Sequence, residues 1–453
     1  MSIFDKILEI YQDYYICHSC LGRMFALLGT YTTNIERGYS LLLSLTLENH
    51  KKYLSSDNSS QIEGLKNLKI LSEKIRFIPA RKVLENEGIS YINEFDELNC
   101  YLCNDIFDNI DKYVDKGLKI LSRVEFDNFL IGTSPDPNII NKEDKFKSEF
   151  TLLESESFKS HFNRVIGKDL SIKLSKKPEF NNPEATLIYS IGYEKCEIEL
   201  KLKPLFIYGR YNKLIRGIPQ THWDCRICKG LGCDQCNQTG KQYLTSVEEL
   251  ISPLFVIQAK ATISKFHGAG REDIDVKMLG NGRPFILEIK DPQFRALDLI
   301  HLEKKINKKV KNKIKISNLR YTDKNEVIRI KENAENTRKL YRAICKINQK
   351  ISKDVFQKKI NKLYDKIENK TIKQKTPLRV SHRRADKERE KKVYNIKSKF
   401  IKPNLFEFQI DVQGGTYVKE LIHGDEGRTT PSFAEIFEMP MICKELDVME
   451  ILQ

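Results

Sequence analysis

Eight of the chain's 11 cysteines fall into four Cys-x-x-Cys pairs: Cys17/Cys20, Cys100/Cys103, Cys225/Cys228 and Cys233/Cys236. Nothing else in the sequence restricts the fold so sharply. Two residues between thiolates let one turn present both sulfurs to a single tetrahedral ion, and two such pairs complete a four-sulfur zinc site. The last two pairs share the run CRICKGLGCDQC, where Gly230 and Gly232 permit a tight reversal. The first two are separated by 79 residues (21–99), so only the fold can bring them together. Both sets are expected to hold structural zinc, since four sulfurs leave no open position for a reacting water. A thioredoxin-like reading fails because neither Cys17/Cys20 nor Cys100/Cys103 sits between the strand and helix of a βαβ pattern. Cys196, Cys345 and Cys443 are read as core residues.

The composition fits a folded protein with a polyanionic partner. The 453 residues are 40% hydrophobic, enough for several cores. Lysine and arginine number 77 against 62 acids, a formal charge of +15 that favours nucleic acid. The opening MSIFDKILEIYQDYY carries acids early and lacks the apolar core of a signal peptide. The longest apolar stretch, near 41–47, is far short of a membrane span. A soluble, cytoplasmic protein is expected, and in that compartment paired cysteines serve metals more readily than disulfides.

Periodicity gives a coarse map. Residues 1–90 repeat apolar side chains at helical spacing (Ile3, Ile7, Ile10, Tyr14; then Leu65, Leu68, Leu71). SFKSHFNRVIG at 157–167 predicts a helix, with alternating strands at 186–192 and 196–202. YGRYNKLIRGIPQTHW at 208–223 interleaves aromatic and basic residues, so that rings can stack on bases while cations meet phosphate. Arg210, Lys213 and Arg216 are its candidate RNA contacts, although a basic turn beside a zinc knuckle has the same composition. SVEELISPLFVIQAKA predicts another helix. Seven lysines at 304, 305, 308, 309, 311, 313 and 315 mark a solvated face that can also track a phosphate backbone. In 338–367, Ile344, Ile347, Ile351, Val355, Ile360, Leu363 and Ile367 recur at helical spacing, as core packing. Phe406, Phe408, Ile410 and Val412 alternate as in a strand. Neither a P-loop nor a nucleotide fingerprint is present.

Three stretches carry a family resemblance: GAGREDIDVKMLGNGRPF (268–285), TPLRVSHRRAD (376–386) and GTYVKELIHGDEGRTTP (415–431). Together they resemble the archaeal-type tRNA pseudouridine synthases of the tenth family. The 208–223 stretch, the CRICKGLGCDQCNQTGK knuckle and the SFKSHFNRVIG helix are similar to that family's accessory half, which contains a THUMP-type RNA-binding module. The resemblance covers nearly the whole chain. It implies an α+β protein whose N-terminal zinc-containing, THUMP-like RNA-binding domain occupies 1–223. A zinc knuckle linker (224–241) and a pseudouridine synthase catalytic domain (242–453) with a mixed, largely antiparallel sheet would follow. The implied activity is isomerisation of uridine-54 and/or uridine-55 in the T arm of tRNA. The implied partner is tRNA, with no cofactor for catalysis; no membrane partner is expected from the hydropathy, and a monomer is expected because nothing in the sequence suggests an obligate dimer.

GRED resembles the Gly-Arg-x-Asp element that carries the catalytic aspartate across pseudouridine synthases, which assigns that role to Asp273. GTYVKEL resembles their Gly-Thr-Tyr-Ile-Arg-x-Leu strand, whose basic residue pairs with that aspartate. Here the position is Lys419, a point charge without arginine's bidentate fork. Tyr341, in KLYRA, resembles the tyrosine that lies against the target base. If the strand starts at once, residues 273, 275 and 277 share a face, and Asp275 lies within reach of Lys277 or Arg283. The chief rival is a non-catalytic tRNA-binding zinc protein. It accounts for the charge and the cysteines but leaves Asp273, Lys419 and Tyr341 without purpose. A methyltransferase or thiolation enzyme should carry a glycine-rich loop for S-adenosylmethionine or ATP.

Overall fold

The computed structural model describes residues 2–29, 31–92, 99–333, 337–382 and 384–452, so Arg383 of the 376–386 stretch lies outside the described residues. The chain divides into two units, Met1–Lys203 and Pro204–Gln453.

The first unit begins as helices whose starts are written into the sequence. Ser2 and Asp5 form a reciprocal cap at the head of Ile3–Asp13, and Thr33 and Glu36 do the same for Asn34–Tyr53. Helices His18–Met24 and Asn34–Tyr53 cross at Gly22, where a β-carbon would stand 1.7 Å from the Asn34 carbonyl oxygen. After the helices comes a sheet of β1 (Asn128–Pro135), β2 (Lys177–Pro178), β3 (Ala185–Ile191) and β4 (Cys196–Leu202), in the order β2-β1-β3-β4. β1 runs parallel to β2 and β3, while β4 is antiparallel to β3. Helix Phe158–Leu174 buries Phe158, Phe162, Ile166 and Leu170, a repeat of four that presents one apolar stripe to the shared core.

The second unit is built on one sheet, ten-stranded among the described residues. Its strands are β5 (Leu205–Lys213), β6 (Ile263–Gly268), β7 (Lys277–Lys290), β8 (Ile314–Thr322), β9 (Arg338–Ile347), β10 (Lys370–Lys375), β11 (Glu388–Lys402), β12 (Leu405–Gln413), β13 (Thr429–Thr430) and β14 (Met441–Leu452). The order is β13-β10-β11-β12-β9-β14-β7-β5-β8, with β6 also on β7. β7 and β14 run parallel; the other neighbours are antiparallel. That parallel pairing covers only Lys277–Met278 against Asp447–Val448, so the sheet is effectively two halves joined at a narrow seam. Each half has its own core. Helix Lys353–Ile367 covers β9 to β12, and helices Val247–Gln258 and Leu299–Lys309 cover β5, β7 and β8.

Two expectations change. Residues 205–213, expected in the accessory half, form β5 and hydrogen-bond to β7 and β8, so the division falls at Lys203/Pro204 and not after 223. Residues 338–347 are a strand, not the start of a helix, because Ala343, Cys345 and Ile347 alternate inward with period two. The helix begins only at Lys353, capped by Ser352. All seven lysines of 304–315 are exposed. No helix among the described residues is long and apolar enough to cross a membrane.

Candidate functional site

The loop 269–276 leaves β6 and enters β7 at the seam between the half-sheets. It is tied down from below by a buried polar network. Glu272 accepts the Tyr211 hydroxyl at 2.9 Å and Arg283 Nε at 2.7 Å, with Lys213 Nζ 3.8 Å away. Gln220 donates to the Tyr211 oxygen (2.8 Å) and to the Gly270 carbonyl (3.0 Å). Arg283 Nη1 reaches the Ala269 carbonyl at 2.8 Å. Gly270 has φ +77°, and a β-carbon there would meet Arg283 Nη1 at 3.0 Å, so both backbone angle and space call for glycine. A buried charge without partners is costly, and here every charge is paired or hydrogen-bonded.

Above this network the loop turns before β7 begins at Lys277, so Asp273 and Asp275 are not on a strand face. Asp273 faces two cations. Arg379 Nη1 donates to its Oδ1 at 3.0 Å, and Lys419 Nζ stands 3.4 Å from its Oδ2. Burial alone would raise the Asp273 pKa, but Arg379 and Lys419 outweigh it and hold the carboxyl below its ordinary value. Asp275 is the more exposed of the two, 66% against 34%, and Lys419 contacts both of its oxygens at 2.7 Å. The expected partners of Asp275 were Lys277 or Arg283; Arg283 is instead spent on Glu272, and Lys419 takes the place. Lys419 sits on helix Val418–His423 rather than on a strand, and Glu420 of the same helix accepts Arg379 Nε at 2.6 Å. Tyr341 projects from β9 into the same cavity of ≈ 600 Å³, and burial pushes its phenol up to about 12. The structure therefore brings Asp273, Lys419 and Tyr341 together, and adds Arg379 and Glu272 to them.

The three cations expected to meet RNA are placed differently. Lys213 is fully buried, and its ammonium donates to the carbonyls of Ile218, Asp273 and Ile274 at 3.0–3.2 Å. It clamps the loop and cannot reach a phosphate. Arg216 holds the carbonyls of Asp275 and Leu446 at 2.7 Å and also Asp447, while Arg210 holds those of Asn281 (2.6 Å) and Gly282 (2.9 Å). The pattern on β5 carried the signal: Ile207, Gly209, Tyr211 and Lys213 alternate on its buried face. Arg379 was legible only as one of several bases in 379–392, and Glu272 only as the variable place in Gly-Arg-x-Asp.

The cysteines gather into two clusters, Cys17/Cys20/Cys100/Cys103 and Cys225/Cys228/Cys233/Cys236, each with its sulfurs within 4.8 Å of one another. Neighbouring sulfurs stand 3.7 Å apart in the first, and 3.7–3.9 Å in the second. A disulfide would require about 2.05 Å. Four sulfurs about 2.3 Å from a tetrahedral ion are about 3.8 Å apart, which these distances match. In the first unit a second feature agrees. Arg23 is fully buried, pairs with Glu143 at 3.1 Å, and leaves Nε and Nη2 without a hydrogen-bond partner. A four-thiolate centre around a divalent ion is a dianion, and a buried guanidinium beside it is the charge that balances it. Both donor sets fit a metal.

Comparison with known families gives a match in each unit. Residues 206–452 match the model described as Pus10, C-terminal, and residues 113–190 match Pus10 THUMP domain, archaeal. A Methanocaldococcus jannaschii protein named tRNA pseudouridine synthase Pus10 is 42% identical over 98% of this chain and 93% of its own length. Proteins of the same name from Methanothrix thermoacetophila and Methanopyrus kandleri are each 37% identical, over 96% and 99% of this chain and 91% and 98% of theirs.

Proposed function

The chain belongs to the Pus10 family of tRNA pseudouridine synthases, and we propose that it isomerises uridine-54 and/or uridine-55 of the tRNA T arm, with Asp273 as the reacting carboxylate. The observation that carries this reading is the placement of Asp273 between Arg379 and Lys419, in one cavity with Tyr341.

Pseudouridine formation breaks the N1–C1′ bond, turns the uracil and rejoins it through C5, with no atom gained and no change of oxidation state. An ionised carboxylate near C1′ can attack that carbon or assist elimination at the ribose. Arg379 and Lys419 keep Asp273 ionised in a pocket that burial would otherwise make hostile to charge. Tyr341 offers its ring to the detached base while it turns. Asp275 holds Lys419, and Glu420 holds Arg379, so each cation is fixed from behind by a second carboxylate. Glu272 and Lys213 fix the loop backbone that carries Asp273. The target must be flipped out of the folded tRNA at a cost of a few kcal/mol, which the THUMP module and the exposed lysines of 304–315 help to supply through phosphate contacts in the cytoplasm. Zinc in both cysteine clusters would be structural: Cys17, Cys20, Cys100 and Cys103 hold one ion, and Cys225, Cys228, Cys233 and Cys236 the other.

An unmodified tRNA transcript carrying tritium at uracil C5 tests the proposal. Asp273→Asn should bind the transcript and release no tritium, whereas Asp275→Asn should be slower yet active. Equal rates for Asp273→Asn and the parent protein would leave a tRNA-binding protein as the better reading. The electrostatics have their own test. The lowered Asp273 pKa means that the ionised form persists as pH falls, so activity should not drop until pH passes below the ordinary carboxylate value of about 4. In Arg379→Met burial acts with one counter-charge fewer, so the Asp273 pKa rises and lost activity returns in part as pH is raised. A pH-independent loss would mean that Arg379 acts through packing.

A further inference from the structure

Resting on that reading, we propose that Trp223 and Arg271 form a second nucleobase subsite, which stacks the base of a nucleotide adjacent to the target uridine. Trp223 is the one tryptophan in the chain, and it sits between β5 and the first cysteine of the knuckle. It is only half-buried and lines the cavity that holds Asp273 and Tyr341. The knuckle fixes it from both ends. Its carbonyl accepts Gln242 N–H at 3.0 Å, Asp224 and Lys241 form a bridge beside it, and Tyr243 packs against its ring at 5.7 Å and 76°. The guanidinium of Arg271, an exposed residue, lies over the indole with Cζ 4.9 Å from the ring centroid.

Core packing alone does not explain this pair, because neither residue belongs to any hydrophobic cluster of the second unit. A ring layered with a guanidinium is instead the surface on which unpaired bases stack, and it accepts any base because each has a π face. Its place in the cavity selects the neighbour rather than the target. Arg271 is two residues before Asp273, so their Cα atoms are at most about 7 Å apart. Tyr341 and Asp273 engage the target sugar and base, and flipping that uridine strips its neighbour of one stacking partner. Trp223 with Arg271 restores it. The zinc knuckle then has a substrate-facing task, to hold Trp223 at the cavity wall.

The sole tryptophan makes the test selective. Its emission should be quenched when the zinc-loaded full chain is titrated with the unmodified tRNA transcript. Trp223→Ala should weaken Kd about tenfold, and Trp223→Phe much less, with zinc content and melting temperature unchanged in both. Making each nucleotide beside the target abasic in turn should weaken binding to the parent protein by the same factor at one of the two positions. On that RNA Trp223→Ala should cost nothing further. Tritium release with unquenched emission, or a Trp223→Ala Kd equal to that of the parent, overturns the subsite alone. Quenching and binding without tritium release strikes the isomerase reading and leaves the subsite standing.

Discussion

The two cysteine clusters share one ligand set but not one setting. In the first unit all four cysteines are buried in the same core as Leu21, Leu102 and Phe107. In the second the cluster sits in a short loop whose Leu231 is 92% exposed and whose Ile227 is also exposed. That loop orders itself: the backbone N–H groups of Gly232, Cys233 and Gly240 each donate to a cysteine sulfur at 3.2 Å. The first cluster takes the place of apolar side chains that the first unit would otherwise pack in its core. The second is a clip whose hydrogen bonds to sulfur come from its own backbone. The same four-cysteine donor set therefore fits one kind of ion in both places, but only its surroundings say what depends on it.

The sharpest way to break this contrast is to remove ligands from each cluster. Cys20→Ser with Cys103→Ser should leave the first unit unfolded. Structural zinc contributes on the order of 10–16 kcal/mol of apparent binding energy, as much as the whole stability of about 5–15 kcal/mol expected of a domain. Circular dichroism should register the lost helices, and bound zinc should fall by one equivalent. A native melting curve would show that these thiols are ordinary core residues. Next in size, Leu21→Ala should destabilise the first unit by about 2–5 kcal/mol while both zinc ions stay bound, as denaturant titration with metal analysis can check. Cys225→Ser with Cys228→Ser should also lose one zinc, yet the second unit should melt nearly as before, and a chelator should strip this ion first from the unaltered protein. A collapse of the second unit would erase the contrast. Smallest of all, Leu231→Ser should change stability by no more than about 0.5 kcal/mol and leave zinc content intact.

What the sequence disclosed follows from how local each signal is. Cys225–Cys236 could be read directly because the ligands are neighbours, and the helix at 157–167 because its apolar stripe lies within one segment. Asp273, Lys419 and Tyr341 became legible through resemblance, since they come from a loop, a helix and a strand that only the fold unites. Lys213 misled because a lysine among arginines and tyrosines looks like a phosphate ligand, while the period of two on β5 turns it inward. Arg379 was hidden for the opposite reason. It is one cation in a run of them, and its distinction is to face Asp273, 106 positions away in sequence. Glu272 gives no signal because it fills the variable place of Gly-Arg-x-Asp, yet it anchors a buried network.

The spacing of the ligands also bears on the order in which the protein is made. Between its two pairs the knuckle closes a loop of four residues (229–232), whereas the first cluster closes one of 79 (21–99). Closing the longer loop costs about 2–3 kcal/mol more in chain entropy. During translation Cys17 and Cys20 emerge long before Cys100 and Cys103, so a zinc site in the first unit would not be complete until the second pair has left the ribosome. The knuckle would have all four of its ligands together almost as soon as it emerges. Metal scarcity should thus be felt earliest in the nascent chain, as a stalled N-terminal unit, rather than in the finished enzyme.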